Sequence, residues 1–359
     1  MSFLKKLSIS KLRNLDSISL MPSSGFNLIY GENGSGKTSL LEAIYLLGRG
    51  KTFRSSSKAP IIQNGAEECV VFAELENGKN LGFSRSSSGD QLIHIGGKKA
   101  TGREELAQTL PLQMINADAF KILEGGPGVR RSYLDWGVFH VEHQFILHWR
   151  QAQKALHNRN SLLKSKIARS AEISPWTRKF CLHAEAVSRY RGEYAIELEN
   201  SLNEILESLM PLGNISLRYF KGWDKTQELE EILARNLQKD IGHGFTGAGP
   251  HRADIKIRIG KEAAADVLSR GQQKILVIAM KLAQAVMLKR ASNKGCVFLV
   301  DDLPAELDSS NRAKVLAMLS QIGEQVFATG IEKEQLYGPL QKEKELKLFH
   351  VEHGKITTV

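Results

Sequence analysis

Apolar and polar residues alternate along the first part of the chain, and this pattern predicts β-strands. Residues 3–20 alternate around Arg13-Asn14, which predicts two strands joined by a turn. Residues 26–30 form a short apolar run typical of a buried strand, and residues 39–47 predict an apolar helix. A glycine-rich loop lies between these last two elements, so strand, loop and helix follow one another directly.

The middle of the chain has the spacing of helices. Between residues 138 and 210 the only glycine is Gly192 and the only proline is Pro175. Apolar residues recur there at helical intervals, which predicts long helices on either side of the proline. No heptad repeat is sustained, so a long coiled coil is not expected.

Strands and helices return in the last third of the chain. Residues 255–259 alternate as a strand, residues 275–287 predict a long apolar helix, and residues 297–300 and 325–330 are apolar runs typical of buried strands. With the N-terminal elements, this order predicts an α/β fold with a mostly parallel core sheet. The helical middle is expected to form a separate lobe.

The chain is basic, with 49 Lys and Arg against 39 Asp and Glu and a net charge of +10. Such an excess favours a polyanionic partner, either nucleic acid or an anionic membrane surface, although a merely basic soluble protein would also show it. The excess is densest between Trp149 and Arg191, where only Glu172 and Glu185 are acidic. We interpret this segment as a surface that faces nucleic acid, while a solvated helix face is the commoner explanation of a charge run. Its ten cations are Arg150, Lys154, Arg159, Lys164, Lys166, Arg169, Arg178, Lys179, Arg189 and Arg191.

Several functional classes are disfavoured by the sequence. Cys69, Cys181 and Cys296 are odd in number and far apart, so neither a disulfide framework nor a zinc site is expected, and a reducing compartment is favoured. The first residues enter the predicted strand without an apolar signal-peptide core. No stretch of about 18 uncharged apolar residues occurs. We therefore expect a cytoplasmic protein that does not associate with a membrane.

The glycine-rich loop fits the phosphate-binding pattern G-x-x-x-x-G-K-[ST] between a strand and a helix. A chance match in a chain of this length is on the order of one per cent. Glycines allow backbone N–H groups to approach phosphate oxygens, and the following helix directs its positive end at the same anion. The loop residues are Gly31, Glu32, Asn33, Gly34, Ser35, Gly36, Lys37 and Thr38.

Two side chains of this loop have specific expected roles. Lys37 is expected to reach the β- and γ-phosphates of a nucleotide, and the Thr38 hydroxyl is expected to bind Mg²⁺. Arg13 precedes the loop and can also reach the nucleotide, although a solvated charge in a hairpin explains it equally well.

A second anion site is predicted at the start of the helix at residues 275–287. A serine hydroxyl, backbone N–H groups and the helix dipole can together bind an anion at such a position. The signal is weak alone, because many helices begin with serine. The residues of this motif are Ser269, Arg270, Gly271 and Gln272.

The apolar run at residues 297–300 ends in Asp301 and Asp302. A buried strand that delivers an aspartate to its carboxyl end suits Mg²⁺ binding beside a phosphate-binding loop. We assign that role to Asp301, and the polarisation of the attacking water to Asp302. The alternative is an ordinary strand followed by an acidic turn.

The order of these motifs, followed by Glu306-Leu307-Asp308, resembles that of ABC-type ATPases. Within that class the chain is similar to the SMC-like branch and to the RecF family, and the resemblance spans nearly the whole chain. The segments that carry it are residues 12–15, 51–54, 126–135 and 249–254. The resemblance implies an ABC-type ATPase head with a mostly parallel sheet, an N-terminal antiparallel β portion and an inserted α-helical lobe. The implied divisions are residues 1–120 and 241–359 for the ATPase lobe and 121–240 for the helical lobe.

The resemblance also implies a mechanism. Two subunits would hold two ATP molecules head to tail, each bound by Lys37 and Thr38 of one subunit and by the Ser269 motif of the other. Asp301 would hold Mg²⁺, Lys37 and Asp302 would be catalytic, and Asp308 would lie at the dimer interface. Because the γ-phosphate completes the second subunit's anion site, ATP and ADP should differ in their effect on dimer affinity.

The function implied by the family is ATP-dependent DNA binding in recombinational repair, replication restart and the SOS response. An ATP-driven dimer would bind DNA at gaps or junctions and help RecO and RecR to load RecA, and slow, DNA-stimulated ATP hydrolysis would reset it. The sequence departs from the usual pattern at four positions. Arg270 stands in the signature where many ABC proteins carry a second glycine, an arginine that RecF-like proteins share. Thr329 stands where a switch histidine is usual, Asp302 replaces a glutamate, and Ala253 replaces an acid common in the family.

Two other functions fit part of this pattern. The ATPase subunit of a membrane transporter shares the three motifs, but the long basic helical insertion between Lys37 and Ser269 and the missing histidine argue against it. A small-molecule kinase would leave the Ser269 motif and residues 306–308 unexplained.

Overall fold

The computed structural model divides the chain into two compact units. The first joins Met1–Ala119 to Lys274–Val359, and the second is Phe120–Gln273. The residues that the structure describes are 3–54, 60–165, 169–211, 213–341 and 343–359.

The second division lies at residue 273, whereas the sequence predicted it at residue 240. Residues 241–273 were therefore wrongly assigned to the ATPase lobe. The physical reason is strand pairing, because Asp254–Ile259 pairs along its length with Ile215–Phe220 of the second unit.

Strands and helices are numbered separately along the chain. The strands are β1 (Leu4–Leu12), β2 (Leu15–Leu20), β3 (Phe26–Tyr30), β4 (Glu68–Leu75), β5 (Asn80–Ser86), β6 (Gln91–Ile95), β7 (Lys98–Lys99), β8 (Leu112–Ile115), β9 (Ile215–Phe220), β10 (Asp254–Ile259), β11 (Glu262–Ala263), β12 (Val297–Val300), β13 (Gln325–Gly330), β14 (Leu346–Glu352) and β15 (Lys355–Thr358). The α-helices are α1 (Lys37–Arg49), α2 (Arg103–Thr109), α3 (Lys121–Glu124), α4 (Pro127–Val141), α5 (Phe145–Ser165), α6 (Ser170–Leu209), α7 (Leu229–Arg235), α8 (Leu237–His243), α9 (Ala264–Val267), α10 (Arg270–Ser292), α11 (Leu303–Glu306), α12 (Ser309–Ile322) and α13 (Lys333–Tyr337). Short 3₁₀ turns span Ala117–Phe120, Pro250–Arg252 and Gly338–Leu340.

The first unit contains an antiparallel sheet in the order β2-β1-β4-β5-β6-β7. Strands β1 and β2 pair with Leu7 opposite Leu20 and Leu12 opposite Leu15, which confirms the predicted pair of strands and its turn. One face of the sheet is buried because apolar residues occupy alternate positions. That face shares a hydrophobic cluster with Leu40 of helix α1.

A mixed sheet in the same unit has the order β15-β14-β3-β13-β12-β8. All its neighbouring pairs are parallel except β14 with β15, so the predicted, mostly parallel core sheet is confirmed. Strand β13 lies between β3 and β12, and all three strands are almost completely buried. Their carboxyl ends therefore meet at one edge of the sheet, which is where the phosphate-binding loop and the two aspartates begin.

The second unit combines helices with a small sheet in the order β11-β10-β9. Helices α5 and α6 pack against each other, and α6 also packs on β9. The prediction that Pro175 separates two helices is wrong, since Pro175 lies inside α6 and the chain leaves α5 at Ser165. A proline near the start of a helix removes only one backbone hydrogen bond, and the buried Ile173 and Phe180 on either side hold the helix in place.

Two cations of the basic segment are buried in ion pairs, and for them the predicted nucleic-acid contact is wrong. Nη1 of Arg159 lies 2.9 Å from Oδ2 of Asp240, and the arginine side chain has no exposed surface. Arg191 donates to both carboxylate oxygens of Asp135, at 2.7 and 2.9 Å. Lys166 lies outside the described residues. The exposed cations of the segment are Arg150, Lys154, Lys164, Arg169, Arg178, Lys179 and Arg189.

The segments 126–135 and 249–254, which carry part of the family resemblance, contact each other within the second unit. Arg130 donates to both oxygens of Asp254, at 2.7 and 3.0 Å. Arg131 donates to the carbonyl oxygen of Ala253. Because both arginines hydrogen-bond to residues at the start of β10, these contacts support the fold of the second unit.

Among the described residues, no helix is both long and apolar enough to span a bilayer. Cys69, Cys181 and Cys296 are buried free thiols, and burial raises the pKa of Cys181 to about 12.

A pH-dependent stability is expected from Glu324 in the first unit. This carboxyl is 2% exposed, and burial raises its pKa to about 7 against the accepted hydrogen bond from Cys296 N and the charge of Lys289. Since the unfolded value is 4.5, the unfolded chain loses this proton first, and stability falls as pH rises from 4.5 to about 7. Glu324→Gln should therefore be more stable than the wild type at pH 8, by about 3 kcal/mol at 1.36 kcal/mol per pKa unit.

Urea denaturation between pH 4.5 and 8 measures this difference. The exposed Glu76 of the same unit supplies the matched control, since the stability difference between Glu76→Gln and the wild type should not increase with pH. A stability difference between E324Q and the wild type that is the same at pH 4.5 and at pH 8 would contradict the argument from burial.

Candidate functional site

The phosphate-binding loop links β3 to α1 in the first unit and requires glycine at two positions. Gly31 has a φ of 148°, and a Cβ there would lie 2.2 Å from the carbonyl oxygen of Val351. Gly36 has a φ of 123°, and a Cβ there would lie 2.9 Å from Leu15 Cδ2. At Gly31 the backbone of β14 and the positive φ both exclude a larger residue, whereas at Gly36 the positive φ is the main reason for glycine.

Lys37 is the first residue of α1 and folds back over the loop. Its ammonium donates to the carbonyl oxygens of Gly31 and Glu32, at 2.7 and 2.8 Å. Burial lowers the pKa of Lys37, while the charges of Asp302 and Asp301 oppose that shift. The ammonium is thus placed between the loop and two carboxylates, where a triphosphate would replace backbone carbonyls as its acceptor.

Thr38 and Asp301 meet through the order of the strands. The Thr38 hydroxyl donates to Oδ1 of Asp301 at 3.1 Å, and the Thr329 hydroxyl donates to the same oxygen at 2.9 Å. Thr329 also accepts the backbone N–H of Asp302 at 2.8 Å. Because β13 lies between β3 and β12, its Thr329 connects the two motifs that the sequence predicted separately.

Asp301 has the features of a cation ligand. Burial raises the pKa of its carboxyl, although the hydrogen bonds from Thr329 and Thr38 oppose the shift. Hydroxyl and carboxylate oxygens suit Mg²⁺, which is commonly bound by one or two protein oxygens together with substrate phosphates. In the described part of the chain no cluster of three or more His, Cys, Asp or Glu residues could hold a metal, so Thr38 and Asp301 fit an ion shared with a nucleotide better than a permanent site.

Asp302 has an unusual backbone conformation. Its φ of 53° and ψ of 52° are left-handed, and it precedes the short helix α11. Non-glycine residues are uncommon in this region, and such strain often accompanies function. The sharp turn brings Asp302 into the same cavity as Lys37 and Asp301.

Arg13 is bound within the protein as well as lining the cavity. It donates through Nε and Nη2 to the two carboxylate oxygens of Glu42, both at 2.9 Å, and through Nη1 to the carbonyl oxygen of Pro60. Glu42 has no exposed surface. It also accepts a hydrogen bond from Thr52 and forms an ion pair with Arg54. The guanidinium of Arg13 is therefore held at the cavity by a buried carboxylate that the sequence analysis did not identify.

The loop is braced by residues that sequence reasoning did not assign to the site. Asn14 donates to the carbonyl oxygen of Gly34 at 3.1 Å and accepts from the Ser39 hydroxyl at 2.9 Å. The backbone N–H of Gly354, in the turn between β14 and β15, donates to the carbonyl oxygen of Ser35 at 2.9 Å. Asn14 lies in the 12–15 segment of the family resemblance, which was the signal that could have identified it.

These groups surround a cavity of about 590 Å³ in the first unit. It brings together the loop, Arg13, Asp301 and Asp302 from the predicted set. Gly31, Glu32 and Ser35 belong to the same loop but are not among its lining residues. The lining residues are Arg13, Asn14, Asn33, Gly34, Gly36, Lys37, Thr38, Ser39, Arg54, Pro60, Ile62, Asn64, Asp301, Asp302, Thr329 and Ile331. Its volume is within the range of ligand sites.

The predicted signature motif begins α10 in the second unit and does not belong to this lining. Ser269 accepts the N–H of Gln272, and the Gln272 side chain accepts the N–H of Ser269, at 3.4 and 2.9 Å. This reciprocal pair is a capping box. Ser269, Arg270 and Gly271 are exposed, and Arg270 contacts Glu124. The backbone N–H groups of Arg270 and Gly271, at the start of this exposed turn, can donate to an external anion.

Asp308 is the N-cap of helix α12 in the first unit. Its carboxylate accepts the backbone N–H and the side-chain amide of Asn311, at 2.9 and 2.6 Å. These hydrogen bonds lower the pKa of Asp308. The local role is therefore an N-cap of α12, and the interface role remains a prediction.

Comparison with known proteins gives matches over nearly the whole chain. Residues 3–357 match the family model described as RecF/RecN/SMC N terminal domain. The DNA replication and repair protein RecF of Pseudomonas entomophila (strain L48) is 44% identical over 358 residues, which cover 99% of this chain and 98% of that protein.

Solved structures show the same fold. The recombination mediator protein RecF-ATP in the RecFOR pathway has a TM-score of 0.85 at 26% identity, covering 99% of this chain and 97% of that chain. The Smc head bound to the C-winged helix domain of ScpA has a TM-score of 0.61 at 16% identity, covering the same shares, which is a likeness of fold alone. The predicted SMC-like ATPase fold is confirmed by these matches.

Proposed function

The chain belongs to the RecF/RecN/SMC family, and we propose on this premise that it is an ATP-binding protein of DNA replication and repair. One observation carries the proposal: Thr38 and Asp301 share a hydrogen bond at the mouth of a loop whose lysine faces the same cavity. The relative from P. entomophila is named a DNA replication and repair protein, and the solved RecF relative is named with ATP. Both names support this assignment over the transporter alternative.

Within the cavity each group has a proposed role. Lys37 and the loop N–H groups bind the β- and γ-phosphates, and Thr38 and Asp301 hold Mg²⁺. The ion, when bound, neutralises charge on the phosphate oxygens. Arg13 and Arg54, anchored by Glu42, add positive charge to the cavity lining. Asp302 orients the attacking water, and its short side chain is consistent with slow turnover.

We propose further that ATP joins two copies of this chain head to tail. The support is the exposed capping box at Ser269, whose hydroxyl and first-turn N–H groups can donate to a γ-phosphate held by another copy. ADP lacks that phosphate, so the dimer should dissociate after hydrolysis. A ligand can shift the monomer–dimer equilibrium only as far as its affinities for the dimer and for the monomer differ. Here the γ-phosphate supplies that difference.

The joined form is proposed to bind DNA at gaps or junctions and to help load RecA together with RecO and RecR. The net charge of +10 supports a polyanionic partner, and the name of the RecFOR pathway in the solved relative supports the protein partners. A chromosomal substrate implies a cytoplasmic location. DNA is proposed to stimulate the weak ATPase activity.

The experiment that tests this function is sedimentation with ATP, ADP or no nucleotide, with and without gapped DNA. ATP alone should give dimers, and DNA should bind the dimer with an affinity that falls steeply as salt rises, since Lys and Arg contacts release counterions. DNA binding that ignores both nucleotide and salt would refute the proposal.

Asp302→Asn tests the water-orienting role. Asparagine keeps the size and tolerates the left-handed backbone but cannot accept a proton, so hydrolysis should fall about 100-fold, the lower end of a general base's contribution. ATP binding should be unchanged. Single-turnover hydrolysis and equilibrium ATP binding separate the two effects, and turnover equal to the wild type would remove Asp302 from this role.

A further inference from the structure

The outer face of the small sheet in the second unit carries an unusual arrangement of charge. Strands β9 and β10 are antiparallel, and their inner positions Ile215, Leu217, Ile255 and Ile257 are buried. The alternate positions point to the other face, where three residue pairs lie directly opposite one another. These pairs are Ser216 with Arg258, Arg218 with Lys256 and Phe220 with Asp254.

Like charges oppose each other at the centre of this face. Arg218 and Lys256 are both exposed, and opposite positions in antiparallel strands place Cβ atoms about 4.5–5.5 Å apart. Like charges at that position are destabilising. In the described part of the chain, neither of these residues nor Arg258 forms an ion pair with a carboxylate. The protein itself therefore leaves this repulsion uncompensated.

The one acid on the face is already neutralised. Asp254 accepts two hydrogen bonds from Arg130, at 2.7 and 3.0 Å, and a third from its own neighbour Ile255 N. Its charge is thus neutralised at the first residue of β10, and the face as a whole stays positive. An external anion is what would relieve the opposition of Arg218 and Lys256.

An exposed aromatic ring lies beside the cations. Phe220 is 49% exposed on the same face, two positions along β9 from Arg218. Residues two apart on a strand are about 6.6 Å apart along its axis. A basic sheet face with a protruding aromatic ring is how single-stranded nucleic acids are bound, with phosphates on the cations and an unpaired base stacked on the ring.

We propose that this face, defined by Arg218, Phe220, Lys256 and Arg258, binds single-stranded DNA. The site rests on the proposed function, since it assigns the DNA contact to particular residues and to the unpaired strand of a gap. The cations contact successive phosphates, and Phe220 stacks on one base. A duplex cannot offer that base without being opened.

The charge contacts are tested with Arg218→Gln and Lys256→Gln combined in the full-length protein, using dT oligonucleotides and ATP. Single-strand affinity should fall, and the slope of log affinity against log salt should become shallower by about 1.4, because each phosphate contact contributes about 0.7 to it. The comparison variant Arg235→Gln with Lys239→Gln removes the same charge from exposed positions of α7 and α8 in the same unit. An unchanged slope in the first variant, or equal reductions in both, would overturn the proposal.

The stacking contact is tested with Phe220→Ala. Affinity for dT oligonucleotides and for gapped DNA should fall about tenfold, within the range for removal of one base stack, while blunt duplex binding stays unchanged. An equal reduction for duplex, or none for single strands, overturns the assignment. ATP-dependent dimerisation, measured for the wild type and these variants, separates the two hypotheses. A wild type that forms no dimers with ATP would refute the proposed function. Variants that form normal dimers and bind DNA like the wild type would refute only this site.

Discussion

Lys37→Met is expected to abolish ATP-dependent dimerisation of this protein. The Lys37 ammonium now donates to the carbonyl oxygens of Gly31 and Glu32, and it is the group at the loop that can move to the β- and γ-phosphates. Hydrogen bonds to charged groups contribute about 1.5–3 kcal/mol each, so losing two should weaken ATP binding by about 10²–10⁴-fold. Without bound ATP, no γ-phosphate reaches the second copy.

The fold should survive the substitution. Methionine matches the length of the lysine stem, and the hydrogen bonds that the change removes are to the backbone carbonyls of Gly31 and Glu32, of which the second contact is exposed. The matched control is Lys355→Met, which removes an exposed lysine from β15 in the same unit. Sedimentation with ATP decides the outcome, and a K37M variant that dimerises like the wild type would disprove the ATP-joined dimer.

Asp240→Asn is expected to destabilise the second unit by about 3–5 kcal/mol. Removing one partner of a buried ion pair leaves the other charge uncompensated in a medium of low polarity. Arg159 has no exposed surface, and its other contacts are the neutral hydroxyls of Thr177 and Thr246. Asp240 also accepts the backbone N–H of Gly247, and the Oδ1 of asparagine can keep that hydrogen bond, so the loss should report the ion pair with Arg159.

Chemical denaturation of the single and double variants measures this pair. Arg159→Met combined with Asp240→Leu removes both charges, and it should recover much of the stability that either single change loses, because no buried charge remains. Asp266→Asn, an exposed aspartate of the same unit, is the control for a simple change of charge. A D240N variant as stable as this control would show that the pair is not buried in solution.

The stability and the proposed DNA contact of the second unit thus involve different cations. Arg159 and Arg191 are paired with carboxylates inside the protein, whereas Arg218 and Lys256 face each other without a carboxylate among the described residues. A count of basic residues along the chain does not distinguish these cases, since a buried and an exposed arginine contribute the same formal charge.

What the sequence determined by itself was local. The loop between β3 and α1 and the Ser269 capping box involve residues within a few positions of one another, so their spacing specifies their geometry. The apolar runs likewise predicted β12 and β13, because strands buried on both faces have few polar residues.

Only the tertiary structure decided which distant groups meet. Thr329 joins Thr38 to Asp301 because β13 is inserted between β3 and β12, and Arg159 is neutralised by Asp240 across 81 positions of sequence. Strand order and register also placed Arg218 opposite Lys256. The physical reason is that the environment of a charge depends on all its neighbours in space, and most of those neighbours come from elsewhere in the chain.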